Sequence, residues 1–194
     1  MDKFKKVLSQ EAPYQLSDEM MDKFCSFMEV VQLKRYDLLI KQGVVDDNIY
    51  IVKDGIIRRS HQVGDKIVTD SFAIAGSVIV SWHSYFHDKP SFSQFEACCD
   101  ATVMRVSKEH FDALIASSHE FSQWALSIAH ATLYLNEFKS SVIRGNIKER
   151  YLSLIKSRPE IMREVPLGFI ASYLGITQPH LSRIRKELVT EKEL

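Results

Sequence analysis

LGFIASYLGITQPHLSRIRK, residues 167–186, reads as two short amphipathic helices meeting at a glycine-containing turn. Phe169, Ile170, Ala171 and Leu174 are the apolar set of the first, Gly175-Ile176 breaks the pattern, and Leu181, Ile184 and Leu188 are the apolar set of the second. That is helix-turn-helix spacing. Ala171 lies where two steeply crossing helices approach closely, so a larger side chain would part them. Gly175 occupies the turn, where a positive φ costs a residue without Cβ almost nothing. Thr177 is an N-cap type, and Pro179 is tolerated in the first turn because its missing donor would be unpaired there anyway. The polar face reads Gln178, His180, Ser182, Arg183 and Lys186, side chains able to donate to phosphates and base edges. A buried helical hairpin with a polar face would share this pattern, so the decision rests on the surrounding chain.

The chain has 194 residues, 45% hydrophobic and 26% charged, an ordinary globular composition with room for two small domains. No apolar run approaches the ~20 residues of a membrane span. The N-terminus, MDKFKKVLSQEAPYQ, lacks the apolar core of a signal peptide, so a cytoplasmic protein is expected, with no membrane partner. Cys25, Cys98 and Cys99 fit neither a disulfide framework nor a zinc or iron–sulfur spacing, and read as packing residues. The zero net charge conceals a split. Residues 1–138 carry 14 basic against 19 acidic side chains, and residues 139–194 carry 11 against 6. A basic C-terminal third on an acidic remainder suits a protein of which one part meets a polyanion.

Residues 1–16 are polar and run to Pro13; a helix is expected after Ser17, with Met21, Phe24, Phe27 and Met28 as its stripe. From Val30 the period becomes two, giving strand-like segments over 30–36, 38–43, 48–63, 66–76, 92–99 and 101–107, with tight turns at Asp54-Gly55 and Gly64-Asp65. Strands so spaced suggest a sandwich or barrel. The helical period returns over 108–116 and 119–138, where Phe121, Trp124, Leu126, Ile128, Ala129, Leu133, Leu135 and Phe138 are more apolar positions than one core contact needs. Phe121, Trp124, Ile128 and Leu135 are the expected seam of a homodimer, with burial inside one chain as the alternative. Gly145-Asn146 precedes a further helix over 147–157, which Pro159 ends.

This order of elements resembles the Crp/Fnr superfamily of bacterial transcription regulators over essentially the whole chain. The resemblance is strongest at ASYLGITQPHLSRIRKEL (171–188) and next at NIYIVKDGIIRRS (48–60). It implies an α+β fold with an N-terminal antiparallel β jelly-roll barrel of the cyclic-nucleotide-binding type (1–116). A long dimerisation helix (117–140) and a winged-helix-like helix-turn-helix domain (141–194) would follow. Its implied partners are double-stranded DNA, a second copy of the chain, an unidentified small-molecule effector and RNA polymerase; it implies no enzyme activity and no cofactor. The family's base-reading positions fall on Gln178, Pro179 and Arg183, with Arg183 suited to guanine O6 and N7. Thr177, His180, Ser182 and Lys186 would meet phosphates. Pro179 departs from the glutamate common in the family.

In members that bind cyclic AMP, glycine-glutamate is followed about ten residues later by arginine and a small hydroxyl residue. The corresponding stretch here, AGSVIVSWHSYFHDKPSFSQF (75–95), keeps Gly76 but has Ser77 and Val78 where the carboxylate belongs, and no arginine occurs between Gly76 and Met104. Lys89, beside Pro90-Ser91, is the cation of that stretch. Trp82, Tyr85, Phe86, Phe92 and Phe95 would either line an apolar ligand site or fill the barrel. The expected effector pocket is therefore degenerate and comprises Gly76, Ser77, Val78, Trp82, Lys89, Pro90 and Ser91. The alternative is a cyclic-nucleotide-binding regulatory protein with a remodelled cassette. His83 and His87, four apart, with His61, read as surface or core histidines, and no metal site is expected.

Overall fold

The computed structural model describes residues 2–142 and 146–192, apart from the side chains of 2, 3, 10, 11, 135, 138–142 and 189–192. The expectations for Leu135, Phe138 and Gly145 lie outside the described residues and side chains.

Capping explains where several helices start. Ser17 accepts from Met20 N–H (3.3 Å) and opens α2 (Asp18–Ser26), and Ser107 accepts from His110 N–H (3.3 Å) and opens α4 (Lys108–Ser117). Asn146 accepts from Lys148 N–H (3.0 Å) ahead of α6 (Ile147–Ser157). Each satisfies an amide that the helix itself leaves orphaned. The polar N-terminus, in which no helix is expected, forms α1 (Asp2–Glu11): Phe4, Leu8 and Ala12 recur every fourth residue and are buried.

Eight strands form two four-stranded antiparallel sheets. β1 (Glu29–Leu33), β8 (Ala101–Val106), β3 (Ile49–Asp54) and β6 (Val78–Val80) make sheet 1 in that order. β2 (Leu38–Ile40), β7 (Gln94–Ala97), β4 (Ile57–Val63) and β5 (Lys66–Ala73) make sheet 2. The expected antiparallel jelly roll is present as an open sandwich and the closed barrel is corrected: among the described residues no strand pair joins the two sheets. Gly64-Asp65 turns a true hairpin, with Val63 paired to Lys66. Asp54-Gly55 turns the chain from one sheet to the other, because β3 pairs with β6 and β8 while β4 pairs with β5 and β7. Two elements lie in the stretch read above only as a cassette, the three-residue β6 and α3 (Trp82–His87); α7 (Pro159–Glu164) is, like α1, also unanticipated.

Four layers result. Leu33, Tyr50, Val52, Ile57, Phe95 and Val103 pack between the sheets. Ile49 and Ile51, on the opposite face of β3, are also buried, so this strand is covered on both sides. Their cover is α1, α2, α4 and α5 (His119–Val142), whose Phe24, Phe111, Phe121 and Trp124 stack at ring-centroid separations of 4.9 to 6.5 Å. Phe121 and Trp124 are fully buried in their own chain and Ile128 packs against the same cluster. Of the expected seam, Phe121 and Trp124 have their apolar area removed from water within one chain, whereas Ile128 is only half-buried.

The outer face of sheet 2 is met by α8 (Leu167–Leu174), around which α6, α7 and α9 (Gln178–Lys192) pack in a cluster that includes Ile56, Cys98, Cys99, Tyr151, Ile170, Leu174 and Leu181. No helix among the described residues is long and apolar enough to cross a membrane.

Gly55 has φ +84°, and a Cβ there would stand 2.6 Å from Ala101 Cβ and 2.7 Å from Asp100 O. Gly55→Ala combines backbone strain with a clash against main chain and is expected to lower stability by about 2–4 kcal/mol, read from the urea midpoint at unchanged slope.

Candidate effector cavity and nucleic-acid interface

Gly175 ends α8 in the left-handed conformation (φ 72°), its N–H bonding Ser172 O, while Ile176 N–H reaches back to Ala171 O. That closes the α8 carbonyl end and turns the chain sharply. Thr177 then accepts from His180 N–H (3.4 Å), and Pro179 is the second residue of α9. Leu181 and Ile184 point into the core with Ala171, leaving Gln178, Pro179, Arg183 and Lys186 exposed and His180 and Ser182 half-buried. Gln178 Oε1 lies so close to Gly168 that a methyl group there would approach it to 3.1 Å. All seven residues expected to meet DNA therefore lie on one helix or its cap, and five of them, Thr177 included, are exposed.

The expected effector residues are dispersed. Gly76 (φ 88°) and Ser77 form a turn pinned to Val52 by Gly76 N–H to Val52 O (2.8 Å) and Val52 N–H to Ser77 O (3.0 Å). Val78 pairs with Ile51 in β6. Trp82 is exposed and stacks on Phe86. Pro90 O accepts from His83 Nδ1 (2.8 Å), and buried Ser91 donates to Ser93 O (2.7 Å). Lys89 is exposed. None of the seven lines the cavity found beside them.

That cavity, about 360 Å³, is bounded by Arg59 and His61 of β4, Asp70 of β5, Phe92, Ser93 and Asn136 of α5. Arg59 Nε donates to Ser93 Oγ (3.1 Å) and stands 3.8 Å from Asp70 Oδ2, which His61 Nδ1 meets at 2.9 Å. Phe92 is 69% exposed and stacks on His83 at 4.0 Å. A guanidinium, a carboxyl group, a hydroxyl, an amide and an aromatic face thus converge on one opening, a set that can orient a small polar ligand. Arg59 escapes a search confined to 75–95 because it arrives from a neighbouring strand. The signal is Arg58-Arg59 itself: consecutive strand residues face opposite ways, so the two arginines lie on opposite faces of β4. His61 is engaged by Asp70 and His83 by Pro90 O, and no group of three or more His, Cys, Asp or Glu among the described residues is placed to hold a metal ion.

Residues 30–118 match the model of the cyclic nucleotide-binding domain family. No curated protein matches the chain in sequence. Among solved structures, FixK2 from Bradyrhizobium japonicum is similar at TM-score 0.72 and 17% identity, over 85% of this chain and 86% of that one. The c-di-GMP-responsive global regulator CLP of Xanthomonas campestris is similar at 0.68 and 14%, over 91% and 93%. A CooA variant from Carboxydothermus hydrogenoformans is similar at 0.66 and 16%, over 87% and 79%. Identities this low establish shared fold.

All three cysteines are buried free thiols, and Cys98 and Cys99 lie between sheet 2 and the C-terminal helices. Burial pushes the Cys98 thiol up to about 12 despite the nearby Arg58 charge, and burial also raises Cys25 and Cys99. A thiol so raised carries almost no thiolate near neutrality. Iodoacetamide at about pH 8 is expected to leave Cys98 of the native chain unmodified and to alkylate it after denaturation, as intact-mass and peptide spectra would show.

Proposed function

We propose that this chain, which carries a cyclic nucleotide-binding domain over residues 30–118 and shares its fold with Crp/Fnr-type regulators, is a bacterial DNA-binding transcription regulator. The observation that carries the reading is the α8–Gly175–α9 pair, whose second helix buries Leu181 and Ile184 and presents Gln178, Pro179, Arg183 and Lys186 outward. A helix so supported can enter the major groove, where Arg183 bonds guanine O6 and N7 together and Gln178 suits adenine or a phosphate. Thr177, His180, Ser182 and Lys186 hold the backbone phosphates. Pro179 offers no hydrogen-bond donor or side-chain acceptor and contributes an apolar contact. The basic C-terminal third supplies the long-range attraction.

The labour divides as residues 1–116 for sensing, 117–140 for dimerisation and 141–194 for DNA. Two-fold symmetry suits a palindromic site, and Leu126 and Leu133, exposed on α5, are apolar positions open to a partner copy. RNA polymerase is the further partner of such a regulator, and the chain acts in the cytoplasm without catalytic chemistry.

The second reading, a regulator that still binds a cyclic nucleotide, is favoured by Arg59, whose guanidinium stands beside Ser93 at the cavity, a group suited to pairing with a phosphate.

Selection of genomic fragments on the purified chain is expected to enrich a palindrome with half-sites about one helical turn apart. Arg183→Ala should lose about 1–3 kcal/mol of discrimination at one base pair per half-site in competition binding; full retention of specificity would remove Arg183 from the readout. Calorimetric titration with cyclic AMP, cyclic GMP and cyclic di-GMP decides the second reading: heat that Arg59→Gln abolishes supports it, and no heat at millimolar ligand ends it.

A further inference from the structure

Strand β4 puts consecutive arginines to opposite uses. Arg58 faces outward and is only 5% exposed. Its Nη2 meets Glu96 Oε2 at 2.5 Å, its Nη1 lies 3.5 Å from Thr69 Oγ1, and its guanidinium carbon sits 3.4 Å from the centroid of the Phe169 ring of α8. Arg59 points to the opposite face of the strand and bounds the open cavity with its side chain 48% exposed.

Strand β5 repeats the arrangement. Thr69 donates its backbone N–H to Ser172 Oγ of α8 (3.0 Å), and Phe72 packs on Tyr173 of α8 (5.4 Å between ring centroids). The neighbouring Asp70 instead holds Arg59 and His61 in the cavity. The two strands slip register at this point: Arg59 pairs with Ser71, but Ser60 pairs with Thr69, leaving Asp70 as the extra residue of a bulge. A bulge is where a ladder can readjust without breaking. Both strands thus touch the cavity on one face and α8 on the other, through adjacent residues, at the one irregular position of their pairing.

We propose that this two-sided hairpin is a lever: Arg58, between Glu96 and Phe169, locks α8 against sheet 2, and a change at Asp70 in the cavity is transmitted through Thr69 and Arg58 to that lock. Its physical basis is stiffness. Arg58 has no solvent to relax into, and burial makes its remaining contacts directional; its Nε has no hydrogen-bond partner among the described residues. A small displacement of β4 therefore alters the guanidinium's position over Phe169 instead of being absorbed by side-chain motion. That the lever would orient α9 on DNA rests on the proposed function; that it exists does not.

Hydrogen exchange of the full chain, without DNA or ligand, tests it. Arg58→Met keeps the apolar stem and removes the guanidinium; it is expected to raise exchange across 167–174 about tenfold while the amides of sheet 1 keep their protection. Phe169→Leu withdraws the ring from the helix side and should give the same loosening, and it decides the matter if Arg58→Met disturbs the sandwich as a whole. Asp70→Asn alters only the cavity face and should change exchange across 167–174 as well. Parental protection of α8 in Phe169→Leu, or in a folded Arg58→Met chain, overturns the lock. Loosening in those variants with parental α8 exchange in Asp70→Asn overturns the transmission. Because no DNA is present, failure of DNA reading leaves each of these results standing.

Discussion

The guanidinium of Arg58, buried between the Glu96 carboxylate and the Phe169 ring, is the contact around which the two halves of the chain are joined. A charge in that position is retained only when its partner is equally fixed, since removing either member of a buried pair typically costs about 3–5 kcal/mol. Arginine suits the place better than lysine. Its planar fork can hold a carboxylate in its own plane while its face lies on an aromatic ring. Glu96 reaches the site from β7 and Phe169 from α8, so one side chain ties two strands of sheet 2 to the C-terminal helices. The tie is reinforced by apolar burial around Ile56, Cys98 and Leu174 and by the Thr69–Ser172 bond.

That tie matters because the sandwich is covered unequally. Sheet 1 receives its outer cover from α1, α2, α4 and α5, whose contact with it is dominated by an aromatic and aliphatic cluster. Sheet 2 receives its cover from helices joined to it by a mixture of apolar, ionic and hydrogen-bonded contacts, which depend on geometry far more steeply than hydrophobic contact does. A cover of the first kind tolerates small slips; a cover of the second kind registers them. The cavity lies under sheet 2, on the side that registers them, and the exposed face of α9 lies beyond the helices so held.

Local chemistry carried much of this fold in the sequence. Ser17, Ser107, Asn146 and Thr177 announce helix starts through their own side chains, and Gly175 announces the turn because only a left-handed residue closes α8 there. What escaped depended on partners distant in the chain. The polar N-terminus conceals the Phe4–Leu8–Ala12 spacing, whose meaning comes from the cluster it joins. Phe121 and Trp124 share a stripe with Leu126 and Leu133, and periodicity alone does not say that the first two meet Phe24 while the latter two stay exposed. Asp54-Gly55 has the composition of a hairpin turn, yet its flanking strands belong to different sheets, a matter of long-range pairing. Arg59 was hidden for the same reason: it lies some thirty residues before the segment it meets at Ser93. The seven positions facing DNA in the proposed function were legible because they form one contiguous helix, whereas a cavity assembled from two strands, a loop and a long helix has no local signature.

The central claim is that α9, packed on α8, reads DNA, and amide protection by a selected operator fragment tests it most directly. Comparison of hydrogen exchange with and without that fragment should show new protection confined to residues 177–186 and the adjoining end of α8, with the cavity strands unchanged by direct contact. Protection mapping to the sandwich or to α3, with none in α9, would contradict the account.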